Sequence, residues 1–406
     1  MTYRFLHFVN CLQYKLMIYN SGAEDLPSLR DVMRSTAMII KDIRASLHGF
    51  SITIPLLDGR VEGYGRAEQT HFVFCQVETD DGTIGFGLTG HFLARSVITA
   101  LHEHILPVVK GMDVRDVEKI HQRIWQKLNP RAMSGVISMA LSCLDIALWD
   151  IAGKQSGRSI AALLGNARDR IPAYVTFGFP QYDIDQLAEA ARLHVANGFT
   201  ALKSVVAVDN GGWREDARRI KAIRDAVGPD IDIMIDANYL FNPVEAACLC
   251  REIEECRITW FEEPVTQNDA RALGDLRRST RIPIAAGQME GHRWRHREFI
   301  EHQSVDILQP NVTYCGGFTE ARKIAHMAQI YNMPIANGGG WPLFNMHLLA
   351  GMMNGWIAEW HLGMVAVGET LFTDAPKPVN GWLDIPDRPG LGLTLNEDAF
   401  RETLVK

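Results

Sequence analysis

The chain has 406 residues, 47% hydrophobic and 22% charged, with a net charge of −7 and an isoelectric point near 6.1. That acidic balance gives no electrostatic reason for a nucleic acid or an anionic membrane as partner, and the length suits two domains or a barrel with an appendage. Seven scattered cysteines, and no run of about 18 uninterrupted apolar residues, argue against a disulfide framework and a membrane span and for a cytoplasmic protein with reduced thiols.

Residues 1–37 share no pattern with the rest of the chain. Their opening stretch is broken by His7, Asn10, Gln13 and Lys15 and lacks the features of a secretory signal, so they read as an extension dispensable for the fold. From Met38, MIIKDIRASLHGFSITIPL alternates as a strand, and HFVFCQVETDDGTIGFG reads as two short strands hinged at Asp80-Asp81-Gly82. Helices occupy 94–128, with Asp113 or Asp116 as a cap. The glycine-rich loops 57–69 and 85–95 are polar enough to act as mobile lids. A further helix covers roughly 135–154, where Leu141, Leu144, Leu148 and Ile151 recur at helical spacing. Residues 38–165 therefore form an α+β unit in which strands and helices are segregated.

Over residues 166–370 the pattern changes to short apolar strands alternating with helices. IPAYVTFG opens the series, and FTALKSVV, IDIMIDAN, ITWFEEP, IPIAAGQ, VDILQPN, MPIANGG and GWIAEWH continue it. The steps from Asp236 to Glu262 and from Glu262 to Gln288 are equal, at 26 residues each, which is roughly one βα unit per step. Such units closed into a barrel bring their strand ends to one face, where Lys203, Asp236, Asn238, Glu262, Gln288, Asn311, Asn337 and Glu359 would meet. The last segment, 371–406, is rich in proline and glycine and has no room for another unit.

Carboxylates that end apolar strands are costly unless paired or liganded. Asp236 and Glu262 on adjacent strands offer the hard oxygen donors that suit Mg²⁺, although either alone could cap a helix or pair with an arginine. Lys203 shares an inward face with Val205 and could act as a base, as a charged anchor for a substrate carboxylate, or as a structural partner of a barrel carboxylate. The basic run 291–298 could hold a second carboxylate but reads more simply as a solvated helix face.

The motifs ALSCLDIALWDIAGK, DAN, EEP, AAG before Gln288 and PGLGLTL, in this order, resemble the enolase superfamily, mandelate racemase branch, from Met38 onward. The resemblance implies a modified TIM barrel, (β/α)7β, with an N-terminal α+β capping domain to which the C-terminal tail returns. It also implies Mg²⁺ held by Asp236, Glu262 and Gln288, a small-molecule carboxylate substrate, and an ene-diolate intermediate. In that pattern Lys203 and Glu359 are catalytic, Glu359 matching the position that binds the developing oxyanion, and Asn238 sits beside the metal ligands. Beyond the pattern, a polar pocket lined by Asn238, Asn311, Asn337 and Glu359 suits a polyol. The departures are specific. Gln288 stands where the third ligand is usually acidic, with Glu290 as an alternative; Val205, Asn311 and Gly338 stand where the branch carries its bases. Tyr239, His292, Tyr314, Tyr64 and His91 are the remaining acid–base candidates. The implied activity is dehydration of a sugar acid. An epimerase at the α-carbon and a non-catalytic metal- or acid-binding homologue are the alternatives, and a homo-oligomer is compatible with the sequence.

Overall fold

The computed structural model describes residues 37–52, 68–128, 134–178, 182–207 and 211–405. The expectations for the N-terminal extension and for the loop over 57–69, Tyr64 included, fall almost wholly outside these residues.

Strands β1 (Ile40–Ile52), β2 (Glu68–Thr79) and β3 (Ile84–Thr89) form an antiparallel sheet in that order. Gly82, at φ 86°, makes the expected turn between β2 and β3. β2 is the central strand and both of its faces are covered by packed helices, so Phe72, Val73, Phe74, Cys75 and Val77 are all fully buried. This explains its continuous apolar run. The stretch 85–89, expected within a loop, is strand β3; only residues 90–93 remain as a connection before α1 (Ala94–Thr99). Helix α1 runs on through a π-helical turn, Ala100–Ile105, into α2 (Leu106–Val109), and α3 (Val117–Leu128) comes next.

Helix α4 (Val136–Ser156) is long and apolar enough to cross a membrane by length and composition, but 83% of its most apolar stretch is buried inside the protein. It lies directly on β3. A Cβ on Gly85 would sit 2.2 Å from the Ala147 carbonyl oxygen, and one on Gly87 2.3 Å from that of Cys143. The opposite side of α4 meets the barrel. Ser142 Oγ accepts the backbone N–H groups of Gly316 and Gly317, and Asp145 Oδ2 accepts that of Thr319. These are orphan donors at the start of helix α11 (Gly317–Ile330), so one domain caps a helix of the other.

The second domain is a sheet of parallel strands β4 (Arg170–Phe177), β5 (Ala201–Val205), β6 (Asp232–Asp236), β7 (Ile258–Glu262), β8 (Ile284–Ala286), β9 (Ile307–Leu308) and β10 (Ala358–His361), with β10 pairing back onto β4. The remaining position is filled by Ile335, which bridges Leu308 on one side and Gly355 on the other and so closes the barrel. The intervening helices are α6 (Ile184–Ala196), α7 (Gly212–Val227), α8 (Pro243–Glu252), α9 (Ala270–Ser279), α10 (His292–Glu301), α11 and α12 (Pro342–Gly351), giving (β/α)7β. A short helix, α5 (Ile160–Leu164), joins the two domains. Sequence-readable caps start two of the barrel helices: Asp183 with Gln186, and Asn242 with Glu245 ahead of Pro243.

After α13 (Leu362–Leu371), strand β11 (Trp382–Asp384) pairs antiparallel with β4, and α14 (Glu397–Glu402) packs on the first sheet. There Phe400 lies 4.4 Å from the His48 ring and 4.9 Å from that of Phe74, and Val405 donates to the Leu47 carbonyl.

Candidate active site

The barrel interior is layered by strand parity. Tyr174, Ala201, Met234, Trp260, Ala285, Ile307, Ala336 and Ile357, one from each strand position, form an apolar plug. Two residues further along each strand, the same face presents Thr176, Lys203, Asp236, Glu262, Gly287, Gln309, Gly338 and Glu359. The apolar floor thus gives way in one step to a polar layer at the C-terminal strand ends.

Lys203 is fully buried at the centre of that layer. Its Nζ lies 2.8 Å from Glu262 Oε1, 2.9 Å from Glu359 Oε1 and 3.1 Å from Asp236 Oδ2. Burial alone would lower its pKa, but Glu262, Glu359, Tyr174 and Asp236 outweigh it and hold the ammonium charged well above the usual lysine range. One cation among three carboxylates leaves the cluster short of positive charge, and burial together with Asp236 and Glu359 pushes Glu262 upward. Glu262 Oε2 accepts from Gln309 Nε2 at 2.8 Å and Trp260 Nε1 at 3.1 Å. Glu359 is fixed by the Thr176 hydroxyl at 2.5 Å and the Gly340 N–H at 2.6 Å.

Gln288 does not join the Lys203 cluster through its nitrogen. Its Nε2 donates to Glu263 Oε2 at 2.7 Å, which turns Oε1 toward the strand-seven glycines, where a Cβ on Gly339 would lie 3.2 Å away. Glu263, which sequence reasoning passed over, is a fully buried carboxyl held also by Asn268 Nδ2 at 2.9 Å and by Tyr239. Burial, then the charge of Asp236, raises its pKa to about 8. Its signal was the doubled acid of EEP. Glu290 turns away from the centre toward Arg295 at 3.0 Å and Asn268 at 3.2 Å.

The three asparagines part company. Asn238 is exposed on the turn beyond Asp236, at φ 45°. Asn311 and Asn337 are fully buried and hold the glycine loop 338–340. Asn311 Nδ2 donates to the Gly338 carbonyl at 2.7 Å, and Asn337 Nδ2 donates to those of Gly338 and Gly340 at 2.9 and 3.1 Å. Asn337 Oδ1 also accepts the Glu359 N–H at 3.2 Å.

The acid–base candidates outside the barrel layer are engaged elsewhere. Tyr239 bonds Glu263. His292 lies 3.0 Å from Glu320, away from Lys203, with its pKa lowered to about 4 by burial. Tyr314 accepts a hydrogen bond from Trp341 Nε1 at 3.1 Å beneath Gly90, and His91 is exposed beside Phe92. The basic run 291–298 is not a solvated face: Arg293 pairs with Glu320, Arg295 with Glu290 and Glu298, and His292 and His296 are buried.

The donor set fits a divalent cation of the Mg²⁺ type. Asp236 Oδ2 and Glu262 Oε1 already converge on one positive charge. Gly338 keeps the space beside them clear, since a Cβ there would come 2.8 Å from Glu262 Oε1 and 3.1 Å from Gln288 Cβ. Two carboxylates and an amide oxygen are hard ligands of the kind Mg²⁺ accepts.

A closed barrel with an ammonium and three carboxylates gathered at its C-terminal strand ends has its charged groups where barrel enzymes build their active sites. Residues 61–165 match the mandelate racemase/muconate lactonizing enzyme N-terminal domain, residues 186–399 match the enolase C-terminal domain-like family, and the chain belongs to the mandelate racemase branch of the enolase superfamily. It is 32% identical over 340 residues to arabinonate dehydratase of Saccharolobus solfataricus, covering 81% of this chain and 90% of that protein. It is 33% identical over 354 residues to D-galactarolactone cycloisomerase of Agrobacterium fabrum, covering 83% and 92%. Among solved structures, L-talarate dehydratase from Polaromonas sp. JS666, complexed with Mg and L-glucarate, superimposes with a TM-score of 0.80 at 28% identity, covering 91% of this chain and 98% of that one.

Proposed function

We propose that this chain is a Mg²⁺-dependent lyase that dehydrates a sugar acid, a small carboxylate with hydroxyl groups, in the cytoplasm. The observation that carries the reading is the convergence of Lys203, Asp236, Glu262 and Glu359 on one point at the strand ends. Relatives named as arabinonate, D-xylonate and L-rhamnonate dehydratases support the substrate class. The buried thiols, Cys75 among them with its pKa raised to about 12 by burial, are inert packing groups suited to a reducing compartment.

In this reading Asp236, Glu262 and the Gln288 amide oxygen hold the metal. The cation would supply Lewis-acid stabilisation of the charge that builds on the substrate carboxylate when the α-proton leaves. Lys203 and Glu359 lie beside the same carboxylate: the Lys203 ammonium balances the charge that develops on it, and the Glu359 carboxylate, which accepts from Thr176 and Gly340, holds that ammonium in place. Asn238 meets substrate hydroxyls at the rim, whereas Asn311 and Asn337 act through the glycine loop that they hold.

The non-catalytic alternative draws on Val205, Asn311 and Gly338 at the customary base positions. The two readings separate when purified protein with Mg²⁺ is incubated with arabinonate, D-xylonate, L-rhamnonate and galactarate and assayed for 2-keto acid. Dehydration predicts product that vanishes with EDTA and in Asp236→Asn. Product formed equally well in EDTA would contradict the reading.

A further inference from the structure

Strand parity extends one layer above the Lys203 centre. β5 and β10 each end two residues past the polar layer, at Val205 and at His361. On β10, Ile357 belongs to the interior plug while Ala358 and Trp360 pack outward with the helices, so Glu359 and His361 share the inward face. The register agrees, since His361 pairs with Thr176 and Thr176 pairs with Lys203 on the next strand. Glu359, Lys203 and Asp236 all lie near enough to act on the charge of the imidazole. Glu359 is 1% exposed, whereas His361 as a residue is half-buried with its Nδ1 enclosed, which leaves Nε2 as the nitrogen for proton transfer. Above it the glycine loop passes closely: a Cβ on Gly340 would lie 3.5 Å from His361 Cβ.

Resting on the dehydratase reading, we propose that His361 is the proton-transfer residue of this enzyme and takes over the work that Val205, Asn311 and Gly338 cannot do. Lys203 is poorly placed for it, because three carboxylates hold it protonated with no exposed surface. Neutral imidazole accepts the α-proton, and the C–H electron pair moves toward the substrate carboxylate to give the ene-diolate. As that charge returns, the bond from the β-carbon to its hydroxyl breaks, the oxygen leaves with the electron pair, and the imidazolium returns the same proton to it. Water and an enol that tautomerises to the 2-keto acid result, and His361 ends neutral with no oxidant or reductant consumed. Burial lowers the pKa of His361, with Glu359 opposing, which favours the neutral starting form.

The test compares wild type, His361→Asn and His361→Gln with Mg²⁺ and the four acids, reading α-proton exchange in D2O by NMR, 2-keto acid formation with its pH profile, and Mg²⁺ affinity by calorimetry. Loss of the proton carrier predicts a fall of at least about 100-fold in both exchange and product in both variants, with Mg²⁺ affinity and melting temperature unchanged. Partial rescue of His361→Gly by free imidazole would support the same role. A wild type that turns over while either variant keeps a rate within threefold of it overturns the role of His361 alone. A wild type giving neither exchange nor product with any of the acids removes the dehydratase reading and this role together.

Discussion

At Lys203 the side chain and the expected metal compete for the same oxygens. The ammonium sits within 3.1 Å of Asp236, Glu262 and Glu359, so without a divalent ion it is the charge that keeps those carboxylates buried. Removing one partner of a buried ion cluster costs roughly 3–5 kcal/mol. Lys203→Met should therefore melt well below wild type in EDTA, and Mg²⁺ should raise its melting temperature more than it raises that of wild type. Equal Mg²⁺ shifts in calorimetric scans would contradict this. Gln288→Glu should tighten Mg²⁺ binding by adding a charged donor, while Glu290→Gln should change it little, because Glu290 already serves Arg295. Titration calorimetry giving the reverse ranking would move the third ligand to Glu290. Lys203, Asp236, Glu262 and Glu359 were legible in the sequence because each ends an apolar strand with a charge. Glu263 and His361 were not: the first hides in a doublet whose other member took the assignment, and the second is visible only once the parity of β10 is fixed.

Among the elements, α4 and β3 show how the sequence encodes the contact between domains. The glycines of GFG read as loop composition, yet they are there because the backbone of α4 lies where a Cβ would be, 2.3 Å from the Cys143 carbonyl in the case of Gly87. Sequence pattern alone cannot separate a flexible glycine from one demanded by close approach. Gly87→Ala should push α4 off the sheet and destabilise the chain by roughly 1–3 kcal/mol or more, the scale of overpacking strain. A melting temperature within a degree of wild type would show that the sheet and helix give way freely. Asp145 carries the same contact onward: it accepts from Thr319 and pairs with His121 at 2.6 Å, which fixes the start of α11 and with it the loop that carries Asn311.

For the whole molecule, the periodicity of strand and helix was enough to give the barrel, its open face and its seventh position at MPIANGG, but not that this position is reduced to isolated bridges, through Ile335 to Leu308 and to Gly355. Global stability should also carry a signature of buried histidines. Burial holds His292 and His347 at about 4, below the ordinary 6.5, so the folded chain binds fewer protons than the unfolded chain in that window. Their contribution is complete above pH 6.5 and is lost as the pH falls toward 4. Melting temperatures should drop across that range, and less steeply in His347→Gln, whose side chain cannot take up a proton. A parallel drop in wild type and variant would assign the acid lability to other groups.

The most direct measurement is a crystal structure grown with Mn²⁺ in place of Mg²⁺, with the ion located by its anomalous scattering. The expected result is one peak between Asp236 and Glu262 that the Gln288 amide oxygen also approaches, with Lys203 Nζ displaced from the pair. A map with no peak there, and with Lys203 still between the same carboxylates at millimolar Mn²⁺, would contradict the account of this centre as a metal site.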